Sequence, residues 1–470
     1  MNLFQLVTKN MRQRALSTWL TLLSVTLGVG LAIAIMVMGR ETDALFGQKN
    51  FGYDVLVGKK ASALQLTLNT IYHLDVSPGN IPFNVYGRLI KGGDLNQYVK
   101  LAIPTVVGDT YQGKYRIVGT LPSLFGVAND GTGAALPPEE VMEYKPDQRY
   151  EIAEGRVFHP QKLEAIIGSD LLRLTDLRVG SIFQATHGMP QPGEIPDIHA
   201  EKWTVVGVLK PTHTSADRVV YIALTSFYTI AEHGVGLVAQ AQLRSGGLPT
   251  AEPDEPETIT IDKDGTEHHS NYDLTPDKII HLHPELVDKL ALSAIMVQSR
   301  GGVTMQDLLY DLNNGTDVMA CNPAQVMRDF FDTFLKPTKM MLQLICWLVI
   351  LVAAVGILVS IYNSVSARTR EIAILRALGA TRGHILGIIC AEAGLVALLG
   401  AVLGIIVGHL ITWAGSGIMY EKFGENLNWW RPDLIEPLYL AGVVVLGLLA
   451  GLVPALKAYR TPVATNLVAV

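Results

Sequence analysis

Cysteine is scarce in this chain, and so is excess positive charge. Only three cysteines occur among 470 residues, and Cys346 and Cys390 fall inside long apolar runs. Cys321 is left as the single cysteine of the more polar middle region, so no disulfide can form there and that region must fold around its own hydrophobic core. The formal net charge of −6 argues against the basic surface that a nucleic-acid partner requires.

Motifs for catalysis are missing as well. The chain has no Gly-x-Ser-x-Gly elbow and no Cys-x-x-Cys pair. The stretch 108–115 imitates a phosphate-binding loop, but Tyr115 stands where a serine or threonine would hold Mg²⁺. We therefore predict no catalytic residue, no cofactor bound by this chain and no enzymatic activity of its own.

Histidine is concentrated in the middle region. Ten of the twelve histidines lie between residues 40 and 336, including His268 beside His269 and the spaced pair His281 and His283. Neither pair has a visible third ligand, and adjacent histidines in a polar loop are more often solvated than metal-bound. The sequence predicts no metal site, and zinc binding by these pairs stays an open alternative.

Charged residues are nearly absent from four long apolar runs. Each run reaches the roughly 20 residues that cross a bilayer as a helix. They predict an α-helical membrane protein with four transmembrane helices, at 18–39, 338–366, 385–413 and 437–456. The first run is longer than the core of about 7 to 15 residues in a cleaved signal peptide, so we expect it to be retained; cleavage is the alternative.

Basic residues mark the predicted cytoplasmic side. The connection 367–384 carries four arginines against the single acid Glu371. By the positive-inside rule this connection lies in the cytoplasm, as do 1–17 and 457–470, whereas 40–336 and the acidic connection 414–436 lie outside. The expected location is the cytoplasmic membrane, with both termini inside.

The middle region reads as a large α+β domain inserted between helices 1 and 2. Short β-branched or aromatic runs bounded by turn residues alternate there with helical stretches. The expected strands begin near residues 53, 101, 115, 164, 181, 203, 219 and 294, and the expected helices near 64, 169, 224, 284 and 304. The stretch 251–272, rich in Pro, Asp, Glu and Thr, predicts a mobile acidic loop. Stalk helices are expected at both ends, over 40–49 and 322–335, with a break at Pro337.

The basic connection also predicts a short helix with one apolar stripe. Ile372, Leu375 and Leu378 recur at helical spacing, and Gly379 would end the helix. We interpret it as a docking helix on the inner face of the membrane. The alternative is that the arginines only fix topology and the connection contacts no partner.

These residues carry a family resemblance. The run Arg370-Glu-Ile-Ala-Ile-Leu-Arg-Ala-Leu-Gly-Ala380, the following Glu392-Ala-Gly and the closing stretch 451–462 resemble FtsX/MacB-like ABC transporter permeases, the mechanotransmission (type VII) group that includes lipoprotein-release permeases. The stretch 151–227 resembles, more weakly, the extracytoplasmic domain of MacB-like proteins.

The resemblance implies a division of labour between chains. ATP and Mg²⁺ would be bound by a separate dimeric ATPase, and the connection would supply the coupling helix that fits a cleft on it. Other implied partners are a second permease copy or a paralogue, an extracytoplasmic accessory protein and membrane lipids, in a bacterial inner membrane. The ATPase-coupling residues implied by position are Arg370, Glu371, Ile372, Leu375, Arg376, Leu378 and Gly379.

Glycines recur at four-residue spacing in the last two runs. Small residues at this spacing let helix backbones approach closely, and packing between spans and packing between subunits are equally open. Glu392 lies inside the third run, where we favour a role in helix packing over a role in transport. The predicted packing residues are Gly400, Gly404, Gly408, Gly447, Gly451 and Glu392.

The expected function is that of a permease subunit. It would couple ATP hydrolysis to motion of the outer domain and export or extract a lipid, lipoprotein, peptide or drug-like cargo. Because Glu392 and His409 are the only acidic, basic or histidine residues in the apolar cores of the runs, we expect the spans to transmit motion rather than form a polar path. The alternatives are an FtsX-like regulator that activates a cell-wall hydrolase without moving cargo, and a membrane-anchored extracellular enzyme, which lacks a catalytic constellation.

Overall fold

The computed structural model describes residues 15–46, 51–74, 76–190, 196–230, 258–261, 267–270, 272–275, 277–282, 290–315, 317–423, 428–431 and 435–460. It divides into two compact units. A helical unit takes in Met1–Phe46, Phe331–Lys422 and Asn426–Val470, and a sheet-rich unit takes in Gly47–Phe330 with Phe423–Glu425.

The helices vary from one turn to more than ten turns. In chain order they are α1 (Ala15–Phe46), α2 (Ala63–Ile71), α3 (Asn84–Leu89), α4 (Leu171–Leu174), α5 (Leu224–Phe227), α6 (Val303–Asn313), α7 (Pro323–Phe330), α8 (Lys336–Ala367), α9 (Thr369–Ala377), α10 (Arg382–Phe423) and α11 (Ile435–Arg460).

Four stretches in the described part of the chain are helical, long and apolar enough to cross a membrane. These candidate spans are Thr18–Glu41, Pro323–Ala367, Arg382–Met419 and Ile435–Lys457. The prediction of four such helices, with a mixed domain between the first and second, is therefore confirmed. The helices continue past the apolar runs at several ends, because polar residues sustain helical backbone where the chain leaves the apolar layer.

The core of the helical unit runs along the middle of the spans. Val25, Val29 and Ile33 of α1 are buried there against apolar residues of α8, α10 and α11. The outward faces are just as apolar, with Leu351 of α8 and Leu449 of α11 more than half exposed. A helix that is apolar on all sides is typical of a membrane span, because lipid covers the face that the protein does not.

Eighteen strands are described, most of them short. They are β1 (Val55–Lys59), β2 (Ile81–Pro82), β3 (Val99–Tyr111), β4 (Tyr115–Thr120), β5 (Glu143–Lys145), β6 (Gln148–Arg149), β7 (Ile152–Gly155), β8 (Glu164–Ile167), β9 (Ile182–Phe183), β10 (Trp203–Leu209), β11 (Val220–Ala223), β12 (Thr258–Ile261), β13 (Glu267–Ser270), β14 (Tyr272–Leu274), β15 (Ile280–Leu282), β16 (Ala291–Leu292), β17 (Ala294–Ser299) and β18 (Val318–Cys321).

One ten-stranded mixed sheet organises the sheet-rich unit. Its order is β18-β1-β17-β3-β4-β11-β8-β10-β7, with β9 beside β10. The pairs β4–β11 and β8–β10 are parallel, and the other pairs are antiparallel. The long strand β3 lies next to both β17 and β4 and so connects the two halves of the sheet.

Two hydrophobic clusters stabilise this sheet. Alternate residues of one strand enter different clusters, as Val55 and Val57 do in one and Leu56 does in the other. Trp203 is fully buried, and its indole N–H donates to Ser226 Oγ at 3.1 Å. The domain therefore has apolar cores that need no disulfide, and its single cysteine, Cys321, is free.

Two local predictions differ from the structure. Within 251–272, predicted as a mobile loop, β12 and β13 pair as an antiparallel hairpin. The residues Thr258-Ile-Thr-Ile261 favour a strand because all four are β-branched. The rest of that stretch, apart from Tyr272, lies outside the described residues. The helix predicted near residue 284 was expected to continue to Leu292, but Ala291–Leu292 form β16, which pairs with β2. Residues 283–289 lie outside the described part.

The predicted second stalk contains a wide helical turn. After α7 the chain makes one π turn over Phe331–Leu335 and continues directly into α8. The break expected at Pro337 does not occur: the helix runs through Pro337, and its irregularity is the π turn just before that residue. The first stalk is helical to Phe46, and 47–49 lie outside the described residues.

Candidate functional site: the connection between α8 and α10

The short helix α9 forms most of the connection between the second and third spans. Ile372 N donates to Arg368 O at the start of this helix, at 3.0 Å. At its end Gly379 adopts a left-handed backbone, with φ of 101°, and its N–H donates to Arg376 O. Thr381 Oγ1 then accepts from His384 N and caps α10. The helix is thus bounded by specific local hydrogen bonds.

The inward face of α9 packs on the helical unit itself. Ala373 is buried, and Ile372 is half-buried against the cluster that includes Val365 and Ile385. Arg376 is half-buried on the same side. Ile372 and Arg376, predicted as coupling residues, therefore face the chain's own spans.

The outward face of α9 carries a different apolar pair. Ile374 is 43% exposed and Leu378, which caps the helix, is 80% exposed, four residues further along. Arg370 and Glu371 are exposed beside them. The side chain of Leu375 lies outside the described part of the structure. Sequence reasoning missed Ile374, although its spacing of four from Leu378 was available as a signal.

The predicted glycines lie where two pairs of spans come closest. A Cβ on Gly404 would meet Val29 Cβ at 2.6 Å, and one on Gly408 would meet the carbonyl oxygen of Gly30 at 2.8 Å. Gly400 lies in the same way against Val25. These glycines pack α10 on α1 within one chain.

The last span packs on the third by the same device. A Cβ on Gly447 would lie 2.4 Å from Ala397 Cβ, and one on Gly451 would lie 2.5 Å from Ala393 Cβ. Small residues therefore face each other across α10 and α11, and this packing too is within the chain.

Glu392 lies among hydroxyl groups of neighbouring helices. It is 9% exposed and lines a small cavity with Thr18 and Thr21 of α1 and with Ser360 and Ser364 of α8. Hydroxyls are the groups that satisfy a buried carboxyl without placing a second charge in the membrane. This position favours the packing role.

A polar network joins the other ends of the spans. Glu41 accepts from the N–H of Asn428 at 2.9 Å, and Arg40 donates to the carbonyl oxygen of Arg431 at 3.0 Å. His409 donates through Nδ1 to the carbonyl oxygen of Trp429 at 2.6 Å, and its Nε2 lies 3.3 Å from Glu436 Oε2. The described part of the connection 414–436 is thereby tied to α1 and α10.

A cavity of about 510 Å³ lies beside the π turn. Ile35 of α1 and Leu342 of α8 give it apolar walls, and three charged residues also line it, Lys336, Lys339 and Asp332, with Lys336 Nζ 3.5 Å from Asp332 Oδ1. Such a site is suited to a molecule with an apolar body and a polar head.

Comparisons with known proteins match both halves of the chain. Residues 344–463 match the family model described as FtsX-like permease C-terminal, and residues 18–251 match the MacB-like periplasmic core domain. The second match begins inside the first span and takes in most of the ten-stranded sheet.

Curated relatives are similar over shorter stretches. The ABC transporter permease YtrF of Bacillus subtilis is 30% identical over 146 residues, 29% of this chain and 34% of that protein. The macrolide export ATP-binding/permease protein MacB of Nitrobacter winogradskyi is 32% identical over 125 residues, 27% of this chain and 18% of that protein. The cell division protein FtsX of Streptococcus pneumoniae is 32% identical over 105 residues, 22% of this chain and 34% of that protein. The chain thus matches about a third or less of the length of each.

Proposed function

The chain belongs to the FtsX/MacB-like family of ABC transporter permeases, and from this premise we propose that it is the non-catalytic membrane subunit of a transporter driven by a separate ATPase. Its four apolar helices and its family support a location in the cytoplasmic membrane as a multi-pass protein. The ATPase would bind ATP and Mg²⁺ and would dock on the connection that contains α9.

The orientation that we propose follows the basic residues. Arg368, Arg370, Arg376 and Arg382 surround α9, so this connection faces the cytoplasm together with both termini. The ten-stranded sheet and the connection 414–436 then lie on the outer side. This arrangement brings α9 to the compartment that contains ATP.

The outward face of α9 is the observation that carries the coupling proposal. Ile374 and Leu378 form an exposed apolar pair that is not part of the hydrophobic core of the helical unit. Exposed apolar groups flanked by charged ones are typical of protein interaction sites, and Arg370 and Glu371 supply polar residues around this pair. We propose that this pair enters the ATPase cleft, while Ile372 anchors α9 to the spans.

The spans would transmit motion rather than conduct a polar cargo. Glu392 is enclosed among hydroxyls, and His409 is held in the polar network at the opposite end of α10. A charge that crosses the bilayer without polar partners costs at least about 2.5 kcal/mol at its centre. A path for polar cargo would therefore need charged or polar groups along an inner surface. Cargo is therefore taken from the outer leaflet or from outside the membrane.

The cavity beside the π turn supports an amphiphilic cargo. Its apolar walls suit an acyl chain or another apolar body, and Lys336 and Lys339 suit a polar head. We propose a lipid, a lipoprotein or a drug-like amphiphile as the cargo class, handled by a dimer with a second copy or a paralogue and with the aid of an extracytoplasmic accessory protein.

A regulatory function without cargo is the second candidate. A cell division protein FtsX is among the relatives, and a regulator needs no polar path through its spans. In that case the same motion would activate an extracytoplasmic hydrolase. Cargo-stimulated ATP hydrolysis in proteoliposomes distinguishes the two, because a regulator would respond to its protein partner and not to an amphiphile.

A docking experiment tests the coupling proposal. The double variant Ile374→Glu/Leu378→Glu places two charges in the proposed ATPase cleft and should cost about 2–4 kcal/mol of association, or about 30- to 1,000-fold in affinity. The matched control is Val303→Glu, which makes the same kind of change at a 75% exposed residue of α6, on the proposed outer side.

The readout is the amount of ABC ATPase that copurifies with each chain at equal membrane levels. We expect the wild-type chain and Val303→Glu to retain it and the double variant to lose it. Equal recovery with the double variant would show that the outward face of α9 is not the docking element, and failure of the wild-type chain to retain any ABC ATPase would contradict the proposed function itself.

A further inference from the structure

Three side chains of the sheet-rich unit bring metal-ligand atoms together. Asp109, His187 and His199 each offer one such atom, and all three atoms lie within 4.8 Å of one another. Asp109 Oδ1 is 3.4 Å from His199 Nε2 and 3.6 Å from His187 Nδ1. Around tetrahedral zinc with bonds of about 2.0–2.1 Å, neighbouring ligand atoms are about 3.3 Å apart, so both separations are close to those that the ion requires.

Main-chain hydrogen bonds hold these residues in place. Thr110 and Thr186 exchange two backbone hydrogen bonds, at 2.9 and 2.7 Å, next to Asp109 and His187 respectively. His199 N donates to the carbonyl oxygen of Ala185 at 2.9 Å. Three chain segments that are distant in sequence are therefore fixed side by side before any side chain binds an ion.

A bulge in β3 places Asp109. The register between β3 and β4 shifts between Val107 and Thr110, and Asp109 lies within that shift. Bulges re-aim side chains and occur often beside functional sites. The Thr110 hydroxyl donates to the carbonyl oxygen of Gly188 at 2.6 Å, which also fixes the chain after His187.

The burial of the three ligands differs in a way that suits a metal site. Asp109 is fully buried and His199 nearly so, whereas the side chain of His187 is half exposed. A buried carboxylate needs compensating positive charge, which either protonated imidazoles or a cation can supply. The exposed position of His187 leaves one side of the cluster open to solvent, where water would complete the coordination of an ion held by three protein ligands.

We propose that Asp109, His187 and His199 bind one divalent transition-metal ion and clamp β3 to the two segments 185–190 and 196–199. Two imidazoles and one carboxylate match zinc better than magnesium or calcium, which prefer oxygen ligands. The site would stabilise the sheet-rich unit and would not depend on the coupling helix. Of the histidines singled out by sequence, His281 is described and is not one of these three ligands, while the side chains of His268 and His269 and all of His283 lie outside the described residues.

Zinc binding by the purified full-length chain tests this proposal. The measurement is a titration with ZnCl₂ against a chromogenic chelator, with Co²⁺ as a second probe whose visible spectrum reports tetrahedral coordination. His187→Gln is the main variant because its side chain is half exposed, and Asp109→Asn keeps the shape of the buried ligand. His213→Gln, at an exposed histidine of the same unit, is the matched control, and His268→Gln/His269→Gln tests the alternative pair.

We expect one high-affinity zinc per chain, with a raised midpoint of thermal unfolding on zinc addition. Loss of a ligand should weaken binding about 100-fold or more in His187→Gln and Asp109→Asn, since even outer-shell partners of a ligand are worth about 10- to 100-fold. Three outcomes would each overturn the proposal: unchanged affinity in both variants, loss of binding only in the His268/His269 variant, or no binding tighter than about 100 µM. The three side chains would then form only a histidine–aspartate ion cluster.

Discussion

The contact of Gly404 with α1 allows a sharp test of how the spans hold together. Adding a Cβ at this position places it 2.6 Å from Val29 Cβ and 3.1 Å from the backbone N of Gly30. Neither atom can move without shifting the backbone of α1, so the overlap must separate the two helices. Overpacking of this kind costs about 1–3 kcal/mol.

A second glycine of the same helix provides the control. Gly387 also lies in α10, and a Cβ there would meet no atom within 4 Å. Gly→Ala inside a helix gains up to about 1 kcal/mol of intrinsic propensity, and this gain is common to both positions. The difference in stability between Gly404→Ala and Gly387→Ala therefore isolates the packing cost of about 1–3 kcal/mol, with Gly404→Ala the less stable.

Cys346 can report this difference. It is 3% exposed and packs with Ala32 and Ile350, at the contact between α1 and α8. With the other two cysteines replaced, the temperature at which Cys346 reacts with a fluorogenic maleimide follows the opening of the spans. If Gly404→Ala opens at the same temperature as Gly387→Ala or above it, α10 does not pack on α1 through Gly404.

Two further predictions concern orientation and pH. In a background without native cysteines, Val303→Cys should react with an impermeant maleimide in intact cells and Leu378→Cys only after permeabilisation; the reverse result would overturn the proposed orientation. Burial and the charge of Arg116 lower the pKa of His73 to about 3. Below pH 6.5 this histidine therefore takes up a proton in the unfolded chain but not in the folded one. The free energy of unfolding should fall as the pH falls, by about 2 kcal/mol at pH 5. Asparagine tolerates the left-handed backbone at this position, so His73→Asn should reduce the pH dependence measured by urea unfolding. The control His213→Asn, at an exposed site with the same φ of 53°, should leave it unchanged. Equal pH dependence in both variants would show that His73 is not its source.

The four spans were predictable because a single local property decides them. A run of about 20 residues without charge has few alternatives to a membrane helix, whatever lies elsewhere in the chain. The strand positions were mostly predictable for a similar reason, as for 164–167 and 203–209, where β-branched residues lie between turn signals. The strand order was not, because pairing such as β3 with β17 joins residues far apart in sequence.

The face of α9 shows why a correct helix can still yield an incomplete site. Periodicity placed Ile372 and Leu378 on one stripe, but it could not tell which side the chain's own spans would cover. The structure places Ile372 inward and Ile374 outward with Leu378. The docking stripe remains a prediction, now with a different member.

The cluster of Asp109 with two histidines had no signal in the sequence. Strands β4 to β9 lie between Asp109 and His187 in the chain, and the bridges of Thr186 with Thr110 and with Ile198 bring the three ligands together. The stretch 108–115 resembles a phosphate-binding loop in sequence, but the structure instead brings its Asp109 close to two histidines. Long-range pairing of this kind follows from tertiary structure alone.

The close approach of α10 to α1 also constrains how this protein can evolve. Where Gly404 meets Val29 and Gly408 meets Gly30, α10 has no room for one more carbon atom, and α1 has little at Gly30. A larger residue on one helix is therefore tolerable only after a smaller one has appeared on the other, so these positions must vary as matched pairs. The lipid-facing positions of the same helices have no such partner and are free to drift singly among apolar residues.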